Sequence, residues 1–472
     1  MIRRPPRSTL DRSSAASDVY KRQLIMSNKT KSLSRRNFIK TSGALGGGAM
    51  MAPNILVADH HGQKLRIAHV GTGGRAGAHV NMAAGEGCIC NTYCDVDESK
   101  WGSAKSKWPK AKGYRDYREM LEKEKDNYDA VSIATPDHHH YSAAIMAMKL
   151  GKHVYCEKPL THTVWEARQL GIARDKYKLA TQMGNQGHSN EGNRLMVEWI
   201  QQGALGNISE VHCWTNRPVW PQPVANPKKA DEIPANIDWD VYLGPAPKTQ
   251  LYKNGIYPFK WRGFWHFGAG ALGDMGCHTM DAFYWAMDPG APTSVECLKK
   301  SEMIDGNFPK SSVVKMKFPA KKGQKAFDFY WYDGGEKPDP ALGLGRKLPG
   351  TGCIFVGDKA SIMSAGDYGD SPRIIPEAKM REIGKPKRTL ERSVGHYKEF
   401  VLAATGKKPI DYPGSNFGYA SPFSETVLLG NVALRCEGEL KWDSKNLKVT
   451  NNADANKIVN KEYHNDWPAP AA

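Results

Sequence analysis

The chain has 472 residues, 40% of them hydrophobic and 24% charged, and a formal net charge of +17. That length supplies apolar material for two domains, and no apolar run past the first 58 residues is long enough for stable membrane insertion. The charge does not make a nucleic-acid surface: residues 1–58 hold 11 Lys and Arg against Asp11 and Asp18, and the remainder, at about +8, mixes acids with bases.

Residues 1–25 precede a second methionine, Met26, and show no periodicity; they read as a mis-called leader outside the fold. Residues 26–58 read as a signal peptide. Ser34-Arg35-Arg36-Asn37-Phe38-Ile39-Lys40 carries twin arginines, a mildly apolar Gly/Ala-rich run follows, and Leu56-Val57-Ala58 offers a cleavage point. The expectation is periplasmic or otherwise exported protein by the twin-arginine route. That route carries folded cargo, so a nucleotide could be captured before crossing.

Residues 62–187 read as a dinucleotide-binding domain. The strand Leu65 to Val70 runs straight into Gly71-Thr72-Gly73-Gly74-Arg75-Ala76, with a helix from Gly77 to Ala84. This is the G-x-G-x-x-[G/A] pattern in its required context: Gly71 permits the tight turn, Gly73 lets backbone reach a pyrophosphate, and Ala76 keeps the helix close. A second strand, Ile89 to Tyr93, leads to Asp95, placed to accept from the adenosine ribose hydroxyls and to repel a 2′-phosphate. NAD is therefore expected over NADP, with Arg75 the residue that could favour NADP. Cys88, Cys90 and Cys94 read as small core hydrophobes.

The alternation continues. Strand Tyr128 to Ala134 ends at Thr135-Pro136-Asp137-His138-His139-His140, with a helix Tyr141 to Leu150 after it. Strand His153 to Cys156 ends at Glu157-Lys158-Pro159; helix Val164 to Lys176 leads to strand Leu179 to Met183 and the turn Gly184-Asn185-Gln186. Such alternation implies a doubly wound parallel sheet, with ligands beyond the carboxyl ends of the strands. Three adjacent histidines on a loop do not converge easily on one ion, so no metal is expected. His140 is expected against the nicotinamide ribose, and His138 and His139 as surface loop. Asn185, Gln186 and His188 are expected to face the pocket and read substrate hydroxyls.

Residues 188–440 read as a second α/β domain. Ile208 to Thr215, Ser312 to Phe318 and Ala326 to Tyr332 have period-two patterns, which suggest a mostly antiparallel open sheet with one covered face. Leu195 to Gln202, His278 to Met287 and Ser424 to Glu437 read as helices. Residues 217–262 are rich in Pro and Trp, a long insertion expected to be functional or mobile. Trp261-Arg262-Gly263-Phe264-Trp265-His266 follows, then a loop from Gly268 to His278. Trp261 and Trp265 either stack on sugar C–H faces or fill the core beneath the loop, and Arg262 is a candidate substrate donor. Residues 441–472 read as a C-terminal tail.

Four markers in order, Gly71 to Ala76, Thr135-Pro136, Glu157-Lys158-Pro159 and Asp274-Met275-Gly276-Cys277-His278, resemble the Gfo/Idh/MocA family of oxidoreductases over about residues 62–440. The resemblance implies that Lys158 lies beside the nicotinamide and contacts the reacting hydroxyl. It implies that the Lys158–Pro159 bond is cis, that His278 is the base for the alcohol proton, and that Asp274 supports that site. It also implies a homo-oligomer formed through the second sheet. Hydride removal from a carbinol needs loss of its O–H proton, and a Lys ammonium stabilises the developing alkoxide. The expected enzyme moves a hydride between NAD(P) and a carbinol of a sugar, cyclitol or sugar derivative. Two alternatives remain: a redox-neutral glycosidase with tightly bound NAD, as some family members are, and a non-catalytic carbohydrate-binding protein on the same fold.

Overall fold

Buried parallel strands are apolar on both faces, and runs of that kind, with one polar edge strand, build the first domain. In the computed structural model they are β1 (Ile67–Val70), β2 (Thr92–Cys94), β3 (Lys112–Tyr114), β4 (Ala130–Ile133), β5 (His153–Cys156) and β6 (Thr181–Met183). The model describes residues 64–472 except Tyr257, Pro258, Lys322, Pro468 and Ala469. The expected leader, export signal and cleavage point all lie outside the described residues.

All six strands are parallel, in the order β3-β2-β1-β4-β5-β6, the doubly wound arrangement of a Rossmann domain. The second strand sits later than its apolar run suggests. Ile89 makes only an isolated bridge to Arg66, and the ladder with β1 begins at Tyr93. The first helix begins at Gly74 rather than Gly77. β3 carries the sequence Lys-Gly-Tyr, which has no apolar periodicity to announce it.

The helix Val164–Tyr177 shows how local chemistry fixes an end. Thr163 Oγ1 accepts from Glu166 N at 3.3 Å, and Glu166 Oε2 accepts from Thr163 N at 3.0 Å, a reciprocal cap. Glu166 is thereby buried with a full charge, a point with consequences for stability.

The second domain is a nine-stranded sheet, with strands β7 (Ile208–Trp214), β8 (Ser294–Lys300), β9 (Ser312–Phe318), β10 (Phe327–Asp333), β11 (Gly352–Gly357), β12 (Ser361–Ala365), β13 (Asp370–Ile375), β14 (Leu440–Asp443) and β15 (Lys448–Val449). Their order is β13-β12-β11-β7-β10-β9-β8-β14-β15, antiparallel throughout except β7 beside β10. The period-two pattern puts Val211, Val314, Met316, Phe329 and Trp331 on the covered face. Phe283, from the helix Asp281–Met287, lies 4.8 Å from Phe329 and 5.4 Å from Phe318 between ring centroids. The other face carries Lys315, Tyr330 and His212, with His212 stacked on Tyr330 at 4.9 Å.

One segment departs from expectation, residues 441–472, while residues 217–262 have the low regularity their Pro- and Trp-rich sequence announces. Residues 217–262 have little regular structure, yet Trp239, Tyr242, Tyr252 and Trp261 bury against one another and against Phe264 and Phe267. Aromatic packing takes the place of periodicity there. Residues 441–472 are structured rather than a loose tail. They supply β15 and the helix Ala453–Val459, then cross the Rossmann domain. Trp467 Nε1 donates to Tyr117 Oη at 3.1 Å, the Arg118 guanidinium lies 3.7 Å from the Trp467 ring centroid, and Tyr141 Oη donates to Pro470 O at 2.6 Å.

Candidate active site

The carboxyl ends of β1, β2, β4 and β5 open onto one cavity of about 590 Å3. Gly71, Gly73, Gly74, Arg75, Asp95, Thr135, Pro136, Glu157 and Lys158 line it from the Rossmann side, while Trp261, Arg262, Asp274 and His278 close it from the second domain.

Gly71 has φ +92°, and an added Cβ would stand 2.7 Å from Ala134 O. Only glycine fits both demands. Gly74 has φ +50°, and its added Cβ would meet nothing within 4 Å, so the loop shows bare backbone to the cavity. The helix that follows has no side-chain cap, which leaves its first N–H groups for an anion. These features fit the pyrophosphate of NAD. Asp95 Oδ2 accepts from the N–H groups of Thr72 at 2.9 Å and Gly73 at 3.2 Å, so it braces the loop as well as lining the cavity. Arg75 Nε donates to Glu157 Oε1 at 2.7 Å, so the carboxylate that holds it is Glu157. We expect Gly71→Ala to weaken NAD binding by about tenfold or more through the clash and the φ penalty, read by titration of protein fluorescence.

Glu157 is a buried hub. Besides Arg75, its Oε1 pairs with His79 Nε2 at 2.9 Å and accepts from Gln186 Nε2 at 3.1 Å. Burial opposes its charge, but the His79 hydrogen bond and the Arg75 cation hold it well below the ordinary carboxylate range. Glu157 thus fixes Arg75 and Gln186 at the cavity wall. The Lys158–Pro159 bond is cis.

Asp274 and His278 lie one turn apart on the helix Gly270–Thr279, where a loop had been expected. Lys158 Nζ donates to Asp274 Oδ1 at 2.7 Å and to Asp274 O at 3.0 Å; Arg262 Nε donates to the same Oδ1 at 2.9 Å. Asp274 therefore supports the site by binding two cations, not by orienting the imidazole. Burial works against the Lys158 ammonium, yet the Asp274 carboxylate raises its pKa above the ordinary lysine value. Burial, reinforced by the Lys158 charge, pushes His278 down to about 3, so its ring is neutral at pH 7. Its Nδ1 is buried without a hydrogen-bond partner among the described residues. Tyr368 meets the ring edge-on at 4.7 Å.

Several expected site residues serve the fold instead. His140 is buried with its two nitrogens against Pro159 O at 2.7 Å and Thr135 O at 3.0 Å, so it ties two cavity loops together and lines no part of the cavity. His138 and His139 are buried rather than surface loop, both bonded to Tyr242 O, and His139 does reach the cavity. Asn185 and His188 converge on buried Asp281, at 3.1 and 3.0 Å, and miss the cavity; only Gln186 of that turn faces it. Trp265 packs on Phe308 outside the cavity, whereas Trp261 lines it beneath the Arg262 guanidinium, 4.3 Å from its ring centroid.

The structure also adds residues that the motifs did not mark. Tyr368 and Asp367 come from the turn between β12 and β13, and Arg217, paired with Asp367 at 3.1 Å, from the segment after β7. Asp137 is buried, accepts from Ala269 N at 2.9 Å, and is pushed up to about 7 mainly by burial. Its position two residues after Thr135 was the available signal.

Comparison with known proteins agrees with this geometry. Residues 65–185 match the Gfo/Idh/MocA model described as oxidoreductase family, NAD-binding Rossmann fold, and residues 202–310 match that family's C-terminal alpha/beta domain. Among solved structures, the WlbA dehydrogenase from Bordetella pertussis in complex with NADH and UDP-GlcNAcA shares the fold at TM-score 0.56 and 18% identity, over 81% of this chain and 99% of that one. The aldose-aldose oxidoreductase from Caulobacter crescentus does so at TM-score 0.54 and 16% identity, over 80% of this chain and all of that one. Among curated relatives, the alpha-N-acetylgalactosaminidase of Shewanella oneidensis is 29% identical over 204 residues, which are 37% of this chain and 44% of that protein. The match spans less than half the length of this relative. The chain belongs to the Gfo/Idh/MocA family of oxidoreductases, as an enzyme whose N-terminal Rossmann domain binds NAD.

Proposed function

We propose that the enzyme moves a hydride between NAD and a carbinol of a sugar, cyclitol or sugar derivative, with Lys158 and His278 at the reacting oxygen. The carrying observation is that both side chains line the cavity of the glycine loop, although they come from different domains. Bound NAD supplies a hydride acceptor there. Gly71, Gly73, Gly74 and Ala76 shape its cradle, Asp95 takes the adenosine ribose, and Thr135, Pro136 and Glu157 border the nicotinamide end. The neutral His278 ring accepts the hydroxyl proton. The Lys158 ammonium, held by Asp274, faces the developing alkoxide. Arg262 and Gln186 supply directional donors to the remaining hydroxyls, and Trp261 and Trp220 supply apolar wall.

A second reading is favoured by the relatives named as glycosyl hydrolase family 109 proteins. In it the same proton transfer serves a transient ring oxidation that lets a leaving group depart, with no net redox change. The test is one assay: purify the chain, measure co-purifying NAD, and offer free sugars and glycosides. Net cofactor reduction by a free sugar supports the first reading. Glycoside cleavage without it supports the second. No turnover of any carbohydrate overturns both.

Export by the twin-arginine route remains part of this proposal. It rests on Arg35, Arg36, Phe38 and Lys40. Fractionation of cells carrying Arg35→Lys plus Arg36→Lys tests it: the protein should remain in the cytoplasm.

The His278 environment gives a pH prediction. A folded-state pKa below the ordinary 6.5 means that the unfolded chain binds the proton first as pH falls. Stability is then complete above about pH 6.5 and declines as pH falls toward about 3. The basic form also persists through that window, so kcat/KM should show no acid limb near pH 6.5. A limb at that pH which vanishes in His278→Asn would contradict the buried, neutral base.

A further inference from the structure

The segment that carries Arg262 into the active cavity also gives Trp265 and His266 to a second cavity, of about 240 Å3. Its polar walls include Asn431 and Arg435 at the end of the helix Phe417–Leu434, and Lys461 and His464 in the C-terminal segment. No residue of the proposed chemistry lines it.

One cation of this cavity, Arg435, has no carboxylate within ion-pair distance among the described residues. Lys461 is neutralised by Glu166 at 2.8 Å and Lys457 by Asp454 at 2.8 Å. Glu462 is the remaining carboxylate of the lining, and it is exposed to solvent. Arg435 is half-buried, lies 4.2 Å from the Trp265 ring centroid and donates to Gly306 O. It has no carboxylate partner among the described residues. A cation withdrawn from water without a counter-charge is costly, which marks a place prepared for an anion. His266 feels the same field. Burial, with His464, Arg435 and Lys461 around it, pushes it down to about 4. Neither the His266 nor the His464 ring hydrogen-bonds to another described residue, so both keep a donor for a ligand.

A further observation narrows the ligand. Asn431 is 4% exposed, its Nδ2 donates to Ala269 O at 2.9 Å, and its Oδ1 has no partner among the described residues. An orphaned acceptor within a cationic wall asks for a ligand that is anionic and also carries a hydroxyl.

We propose that this cavity binds a small tetrahedral oxyanion bearing at least one O–H, either hydrogenphosphate or the phosphate end of a sugar phosphate. The Arg435 fork and the two imidazoles donate to the anionic oxygens, and Asn431 Oδ1 accepts the hydroxyl. The site is separate from the glycine loop, which takes the cofactor's phosphates.

Calorimetric titration of the full chain tests this. The protein is saturated with NAD so that the glycine loop is occupied, then titrated with inorganic phosphate and, separately, with glucose 1-phosphate. Binding should be seen, and Arg435→Gln should weaken it about tenfold or more through loss of a charge-assisted pair. His464→Asn, which breaks no ring hydrogen bond, should weaken it several-fold while leaving the thermal midpoint and NAD affinity in place. Tighter binding of glucose 1-phosphate assigns the anion to a phosphorylated sugar; equal or weaker binding assigns it to free phosphate; either upholds the site. Absence of binding to the NAD-saturated wild type, or unchanged affinity in both variants, overturns it.

Discussion

Lys158→Ala is expected to lower kcat by roughly 10²–10³-fold, the usual cost of removing one preorganised donor from a developing oxyanion. The effect should fall on kcat more than on KM. A hydroxyl in the ground state asks little of an ammonium, whereas an alkoxide asks much. The residue is suited to the task because three demands are met together: it follows β5, it is largely but not wholly withdrawn from solvent, and Asp274 keeps it charged. Asp274→Asn provides the comparison. It removes the carboxylate shared by Lys158 and Arg262, leaving two half-buried cations side by side. Lys158 should then lose its proton more readily, and kcat should fall with its pH optimum moved toward acid. The measurement is the pH profile of kcat for both variants, with NAD affinity determined alongside. If Lys158→Ala turned over normally, the proposed chemistry would fail. If NAD affinity fell by as much as kcat, Lys158 would belong to cofactor retention instead.

The distance between those residues explains what could be read from sequence. The Rossmann half was legible because buried parallel strands are short apolar runs and their turns carry glycine at fixed positions; Gly71 has positive φ where the pattern places a glycine, and so does Gly74, at a position the pattern leaves open. The second sheet was half legible. β9 and β10 alternate clearly, but β11 to β13 lie in a stretch where Gly, Ser and Asp interrupt the pattern. Tyr368 was lost with them, since it stands on a turn between two unmarked strands. Lys158 and Asp274 meet across 116 positions, and their place in one site came from family resemblance, not from periodicity. Even so, the resemblance did not say which partner Asp274 would hold.

The errors at Asn185 and His188 have a different cause. Polar side chains after the last Rossmann strand can point into the ligand cavity or into the core, and sequence does not separate the two. Here Asp281, three residues beyond His278, is a buried carboxylate that takes both of them and the Tyr419 hydroxyl at 2.8 Å. A buried charge must be hydrogen-bonded, so its needs outrank those of the cavity. His140 obeys the same rule in reverse: two loop carbonyls need a donor, and the imidazole supplies one. A residue near a site is thus often spent on holding the site's own backbone.

Removal of the Lys461 ammonium is the largest stability change expected outside the hydrophobic core. Lys461→Met leaves Glu166 with its cap hydrogen bonds and the Tyr463 hydroxyl but no counter-charge. Breaking a buried pair from one side costs about 3 kcal/mol or more. The loss should appear as a lower denaturant midpoint. Acid dependence should also change sign. In the wild type, burial opposes the Glu166 charge but Lys461 and His162 hold its pKa below the ordinary 4.5, so this contribution to stability is present above about pH 4.5 and is lost as pH falls. Without Lys461 the carboxyl is raised by burial, so acidification from neutral pH should restore part of the stability. Lys461→Met combined with Glu166→Gln should likewise recover part of it, because a neutral amide needs no cation. If Lys461→Met matched the wild type at every pH, the C-terminal segment would be a passenger on the Rossmann domain. A pH-inverted loss would make it a structural strap, fastened to the cap of the helix Val164–Tyr177, the helix that follows the Glu157-Lys158-Pro159 turn.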